Sequence, residues 1–414
     1  MERKLNKLQV AYVLGRQNYL PLGGVAMHDF REYRGDVDLD VFKNCLREVV
    51  EKHNALRIVI DHKKFSQKES TDLDLNLKII DYQNDIKTET LSKIEQLREQ
   101  VSHYKHESNK SPWGVWFIQL NKKLDVDYHT VILFSFDGLI LDGYSISSII
   151  NEILILYRKN KTGIESVPPQ VSSNLLDCDN LFKVKDIDKA YWLKKLEGIS
   201  KISFPWKTNL EEIPSSRYKR SNIVIKKNRW DELSGYAKKN AIFPNSLINT
   251  IILKSLCTLS EREDIYVGLP ISFSIYNKEL SNLSTIIPLY YRTNDDSLVN
   301  NVKNIQSDTM NGLNHVSYSG IEIARELCSK FKNSIPFPIV ITNALSWKVE
   351  PYDSNFYYHS GLTQTPQVAL DIRIQLTNTR NLSIDFDFAV SAISESLIND
   401  LMLLINKEIK LITS

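Results

Sequence analysis

The chain has 414 residues, 42% hydrophobic and 25% charged, the balance of a globular protein rather than a disordered or fibrous one. Its 52 basic and 50 acidic side chains nearly cancel to +2, so neither nucleic acid nor an anionic membrane is expected as a partner. A chain of this length exceeds what one core comfortably fills, and two lobes are the default expectation.

Met1-Glu2-Arg3-Lys4 opens without the apolar run that a secretory signal needs. The longest apolar stretch, Ile146 to Tyr157, is interrupted by Ser147, Ser148, Asn151 and Glu152 and is too short and polar to span a bilayer. Cys45, Cys178, Cys257 and Cys328 are scattered, with no Cys-x-x-Cys pair, which predicts buried free thiols in a reducing, cytoplasmic setting and no structural zinc.

Leu5 to Gly15 has helical spacing, and Val37 to His53 predicts an amphipathic helix with Val41, Cys45, Val49 and Val50 on one side. Leu56 to Ile60 and Leu75 to Asp81 predict short strands, and Thr88 to Tyr104 a polar helix. Val115 to Leu120 and Thr130 to Phe136 are rich in β-branched and aromatic residues, with turn chemistry between them, so they predict a hairpin or neighbouring antiparallel strands. The second of these is apolar at nearly every position, which implies burial on both faces, and a long helix follows from about Ser145.

Between Lys161 and Asp188 the pattern dissolves into Gly, Pro and Ser, the best linker candidate, giving lobes 1–170 and 171–414. Beyond it, strands are predicted around Ile223 to Ile225, Ile265 to Phe273, Ile286 to Tyr291, Pro338 to Thr342, Val368 to Leu376 and Leu382 to Phe388. Helices are predicted over Trp230 to Lys239, Ser246 to Leu259, Ser319 to Phe331 and Ser394 to Ile412. Both halves mix sheet and helix, so the fold class is α/β.

The sharpest local feature is Phe136-Asp137-Gly138-Leu139-Ile140-Leu141-Asp142-Gly143-Tyr144-Ser145. Two carboxylates leave a buried strand, and a buried charge needs a partner. Asp-Gly also favours turns, and Ser145 stands where it would cap the following helix. His28 and His53 read as satisfied structural groups, and no Ser/His/Asp or Cys/His set has triad spacing. Asp371, flanked by Leu370 and Ile372 in a predicted strand, either faces solvent or sits in a site. No glycine-rich phosphate loop is present, so ATP and dinucleotides are not implied.

The spacing Asp-x-x-x-x-Asp-x-x-Ser over 137–145 resembles the signature of nonribosomal peptide heterocyclization domains, relatives of condensation domains that carry His-His-x-x-x-Asp-Gly at that place. The condensation-type histidines would fall at Asp137 and Gly138. Further segments resemble the family in order: Leu8-Gln9-Val10-Ala11-Tyr12-Val13-Leu14-Gly15-Arg16, Leu22 to His28, Lys52-His53-Asn54-Ala55-Leu56-Arg57, Tyr318-Ser319-Gly320-Ile321-Glu322, Pro338 to Asn343, and Gln364-Thr365-Pro366-Gln367-Val368-Ala369-Leu370-Asp371. Departures fall at Asn343, where the family has serine, at Ser272-Phe273-Ser274, and at Ser281 to Thr285.

The resemblance implies two chloramphenicol-acetyltransferase-like lobes set in a V as a pseudo-dimer, the condensation-domain fold. It implies that an acyl group and a Cys, Ser or Thr, each on the phosphopantetheine arm of a carrier protein, are joined and cyclodehydrated to a thiazoline or oxazoline. No bound cofactor or metal is expected. Asp371 and Thr342 match the residues associated with proton transfer, while Gln364, Gln367 and Ser145 would support the substrate or order the loop. Asp137 and Asp142 are expected to be architectural, with Asp142 paired to Arg57 as in related condensation domains. Amide formation without cyclization, and a non-catalytic carrier-docking module, are the alternatives.

Overall fold

The computed structural model describes residues 2–162, 183–274, 280–293, 297–332, 334–349 and 353–413. The predicted linker and the lobe boundary at 170/171 lie outside the described residues, as does Cys178. Cys45 and Cys257 are buried and free, whereas Cys328, expected to be buried, is partly exposed.

The first half contains β1 (Glu2–Lys4), α1 (Lys7–Gly15), β2 (His28–Gly35), α2 (Leu39–Lys52), β3 (Ile58–Asp61), β4 (Ser66–Glu69), β5 (Leu77–Tyr82), α3 (Lys87–Ser102), β6 (Trp113–Leu120), β7 (Thr130–Asp137) and α4 (Gly143–Thr162). Helix α1 starts on a capping box, in which Asn6 accepts from the Gln9 amide and Gln9 accepts from the Asn6 amide. Helix α2 buries Phe42, Cys45, Leu46, Val49 and Val50, an i, i+3, i+4, i+7, i+8 stripe, with Val41 at its margin. Strands β6 and β7 pair antiparallel, and all eight residues of β7 are buried. That follows from helices covering both faces of the sheet.

The second half contains α5 (Asp186–Glu197), β8 (Tyr218–Ile225), α6 (Lys227–Lys239), α7 (Pro244–Leu259), β9 (Asp264–Ser272), β10 (Ser284–Arg292), α8 (Leu298–Leu313), α9 (Gly320–Lys330), β11 (Ile339–Asn343), β12 (Tyr357–Gln364), β13 (Leu370–Leu376), β14 (Leu382–Ala389) and α10 (Glu395–Ile412). Six strands form one sheet in the order β10-β9-β11-β13-β14-β8. Five form another in the order β12-β2-β7-β6-β5, so a strand from the second half of the sequence completes the first-lobe sheet. Strand β12 pairs antiparallel with β2 from Tyr357↔Arg34 to Gln364↔His28, which stitches the halves together through backbone bonds. No single helix among the described residues is long and apolar enough to cross a membrane.

Strands β13 and β14 alternate strictly. Leu370, Ile372 and Ile374 with Ile384, Phe386 and Phe388 enter the core, and Asp371, Arg373, Asp385 and Asp387 take the opposite face. An alternating antiparallel pair ordinarily leaves its polar face to water. Here that face is buried too, because β2 and β12 lie over it, and its charges find partners across the junction. Asp29 on β2 accepts from Arg373 at 3.0 Å and from Arg31 at 2.8 and 3.1 Å. Asp387 accepts from both Nε and Nη2 of Arg220 at 2.6 Å, and from the Thr363 amide of β12 at 2.8 Å.

Candidate active site

The loop from Asp137 to Asp142 is held by the segment that opens the chain. Arg16 forms a buried ion pair with Asp137, and Gln9 Nε2 donates to the Leu139 carbonyl at 2.7 Å. Two motifs that are separate in the sequence therefore form one structural unit. Neither Asp137 nor Gly138 places an imidazole in the cavity between the sheets. A Cβ on Gly138 would stand 2.3 Å from the Met27 sulfur. Gly138→Ala is therefore expected to lower stability by about 1–3 kcal/mol, with Met27→Ala in the same chain recovering most of it in urea denaturation.

Asp142 does not pair with Arg57, contrary to expectation. Arg57 caps the end of α2, donating to the carbonyls of Val50 at 2.6 Å and Glu51 at 2.7 Å, and also pairs with Glu69 at 2.7 Å. Asp142 instead accepts from the hydroxyls of Ser272 at 2.7 Å and Ser274 at 2.8 Å, and from the Ser145 amide at 2.9 Å. The stretch Ser272-Phe273-Ser274, a departure from the family pattern, thus supplies neutral hydroxyl donors to this carboxylate. Burial raises the Asp142 pKa above the usual carboxylate range, with these hydrogen bonds opposing it. Ser145 is not the helix cap. Asp142 caps α4, and the Ser145 hydroxyl donates to the Ser281 carbonyl at 2.9 Å, fully buried. Ser281 to Thr285, the other departure, clasps the loop from the second lobe, with the Asn282 side chain donating to the Gly138 carbonyl.

A cavity of about 630 Å³ opens between the sheets, lined by Tyr12, Asp142, Thr342, Asn343, Trp347, Gln367, Asp371 and Arg373 among mostly apolar neighbours. Strands β11 and β13 run parallel with Val340 opposite Asp371 and Thr342 opposite Arg373, which brings the Thr342 hydroxyl to 3.0 Å from Asp371 Oδ1. Burial, with the negative charge of Asp387 directly opposite on β14, pushes Asp371 up to about 6. Its nearby arginines and the Thr342 hydrogen bond hold it from rising further. A carboxyl group that titrates near neutrality beside a hydroxyl, in a mainly apolar cavity, is equipped to take and return a proton.

Gln367 lines the same cavity from a left-handed turn position, φ 66°, with its amide donating to the Leu22 carbonyl at 2.9 Å. Gln364 does not face it. That side chain is buried against α3, donating to the Ser102 carbonyl. His28 and His106 both approach the Ser135 hydroxyl, at 2.7 and 2.9 Å, and His53 binds Glu152 at 2.7 Å. Sequence reasoning passed over Asp29 and Arg373. Asp29 and Arg373 form the buried junction, and Trp347 stacks 5.7 Å from the Arg373 guanidinium. A second cavity of about 760 Å³ lies on the far side of these residues, and Trp347 and Arg373 line both.

Two sheets packed with helices around a polar junction that opens into a cavity define a two-lobed α/β protein with its candidate chemistry between the lobes. The sequence model of the condensation-domain family matches residues 26–405, and the chain belongs to that family. It is 22% identical over 393 residues to bacitracin synthase 1 of Bacillus licheniformis, covering 90% of this chain and 7% of that protein. It is 22% identical over 244 residues to a linear gramicidin synthase of Brevibacillus parabrevis, covering 56% of this chain and 5% of that protein. The chain thus spans a small part of the length of these relatives. Its fold matches the EpoB cyclization-docking bidomain of Sorangium cellulosum with a TM-score of 0.87 at 20% identity, covering 100% of this chain and 85% of that one. The first condensation domain of the calcium-dependent antibiotic synthetase matches with a TM-score of 0.76 at 14% identity, over 100% of this chain and 97% of that one.

Proposed function

We propose that the protein is a heterocyclization domain, joining a carrier-bound acyl group to carrier-bound Cys, Ser or Thr and cyclodehydrating the new amide to a thiazoline or oxazoline. The observation that carries this reading is the Thr342–Asp371 pair in the cavity, at 3.0 Å, with Asp371 near pKa 6. Amide carbonyls are poor electrophiles and hydroxide is a poor leaving group, so ring closure needs a group that removes one proton and supplies another. Such catalysis is typically worth 10²–10⁴-fold, or about 3–5 kcal/mol. Asp371 as carboxylate takes the proton of the attacking thiol or hydroxyl, and as carboxylic acid gives it to the departing oxygen. Thr342 fixes the carboxyl in place and relays the proton.

The remaining carboxylates of the cavity are less suited. Asp29 is held ionised by two arginines, and Asp142 is saturated by hydroxyl and amide donors. Partners under this reading are the two carrier proteins whose phosphopantetheine arms deliver the substrates, with no resident cofactor called for. The test is reconstitution with loaded carriers and intact-mass measurement. A heterocyclase yields a product lighter by one water than the condensed amide, whereas an amide that persists unchanged reduces the protein to a condensation enzyme. Carrier binding without any product would make it a docking module.

A further inference from the structure

Arg373 has more donors than the structure uses. A guanidinium carries five N–H groups. Here Nη2 donates to Asp29 at 3.0 Å, Nη1 to Thr363 Oγ1 at 3.3 Å, and Nε has no hydrogen-bond partner although it is buried. The side chain is only 6% exposed and its face is covered by the Trp347 indole. Its one ion-paired hydrogen bond goes to Asp29, a carboxylate that it shares with Arg31. A guanidinium with donors to spare beside a mostly apolar cavity acts strongly on any acceptor that comes near it.

The position of those donors matters. Arg373 sits two residues beyond Asp371 on β13, directly opposite Thr342 in the parallel register with β11. It lines the cavity that holds the Thr342–Asp371 pair and also the second cavity behind it, so it stands where reactants approaching from either side would meet.

We infer that Arg373 is a further catalytic residue, the donor that receives the carbonyl oxygen of the substrate as that oxygen gains negative charge. This extends the reading of the cavity as a heterocyclization site and applies to both of its bond-forming steps. In the first, the amine nitrogen attacks the thioester carbon, the carbonyl π pair moves to oxygen, and Arg373 holds the oxyanion. Collapse re-forms the carbonyl and expels the pantetheine sulfur, which leaves with the proton lost by the amine. In the second, the side-chain thiol or hydroxyl attacks the amide carbon, and the same oxygen again becomes anionic against Arg373. It takes up the proton released by the attacking thiol or hydroxyl and then a second, balanced by the proton that the nitrogen gives up as the C=N bond forms, and departs as water. Asp371 moves the protons of the second step, and Arg373 stabilises the charge in both.

Arg373→Lys keeps a cation for Asp29 but loses the forked donors, and Arg373→Met removes the charge. With loaded carriers and single-turnover mass measurement, both variants are expected to slow amide formation and ring closure alike, by about 10²-fold in kcat, with KM for the carriers little changed. Added guanidinium at tens of millimolar is expected to restore part of the rate of Arg373→Met, which a purely structural role would not allow. Thermal unfolding of Arg373→Lys establishes that it is folded. Wild-type rates in a folded Arg373→Lys, or a loss confined to ring closure or to KM, would overturn the inference. Should the wild type form amide and no ring, the cyclization reading fails while the amide step still reports on Arg373.

Discussion

Asp371→Asn is expected to stop the reaction at the linear amide, slowing ring closure by about 10²–10⁴-fold while amide formation continues. Asparagine keeps the size of the side chain and an oxygen that accepts from Thr342, so the cavity is preserved and only proton transfer is lost. The amide should accumulate in the mass spectrum one water heavier than the wild-type product. Because Asp371 must be ionised to accept the first proton, wild-type ring closure should rise with pH through about 6, where its carboxyl titrates. That limb should vanish from the residual rate of the variant. Equal ring yields for both proteins would remove Asp371 from the mechanism.

The same substitution carries a stability signature of opposite sign. The folded-state pKa of Asp371 is raised to about 6 from an ordinary value of 3.8. Its contribution is therefore fully present below pH 4 and is lost as pH rises through 6, because the folded protein must then ionise a buried carboxyl. A displacement of that size corresponds to about 3 kcal/mol. In urea denaturation Asp371→Asn should gain stability over the wild type at pH 8 by up to about that amount, and much less at pH 4. A variant more stable than its parent but unable to close the ring identifies a carboxyl kept for chemistry at a cost to folding.

The elements legible in the sequence were those whose side chains announce an apolar face. The stripe of α2, the unbroken apolar run of β7, and the alternation of β13 and β14 all fixed their elements locally. Strands β2 and β12 escaped for the opposite reason. His-Asp-Phe-Arg-Glu-Tyr-Arg-Gly reads as surface, yet Asp29, Arg31 and Glu32 are buried because their partners arrive from elsewhere, Glu32 accepting from Arg98 of α3 and Asp29 from Arg373 of β13. Periodicity cannot register neutralisation at long range. Helix α5, beside the predicted linker, gave too little apolar contrast to be marked, whereas α8 buries Val302 and Ile305 on one side and was simply missed among its asparagines. At the site, resemblance supplied Thr342 and Asp371, but their contact depends on a parallel register that no local pattern encodes. The pairing of Asp142 with Arg57 failed because two serine hydroxyls from the second lobe reach that carboxylate instead.

Those long-range charges give the second large expected effect. Asp29→Ala leaves Arg31 and Arg373 buried without the carboxylate they share, and breaking one member of such a buried set typically costs about 3–5 kcal/mol. Against a net folding free energy of about 5–15 kcal/mol this is a large fraction. Asp29→Asn, which still accepts one hydrogen bond, should lose less. Because Asp29 is on β2 and Arg373 on β13, the loss falls on the junction of the sheets, and amides of β12 and β13 should exchange faster with deuterium while those of β6 and β7 remain protected. The two arginines hold the Asp29 carboxyl well below the usual range, more than offsetting its burial, so its contribution is present above about pH 4 and fades on further acidification. The difference between wild type and Asp29→Ala in urea should accordingly be largest at neutral pH and shrink below pH 4. A difference that stays constant down to pH 3 would mean that lost packing, and not the ion pairs, accounts for the destabilisation.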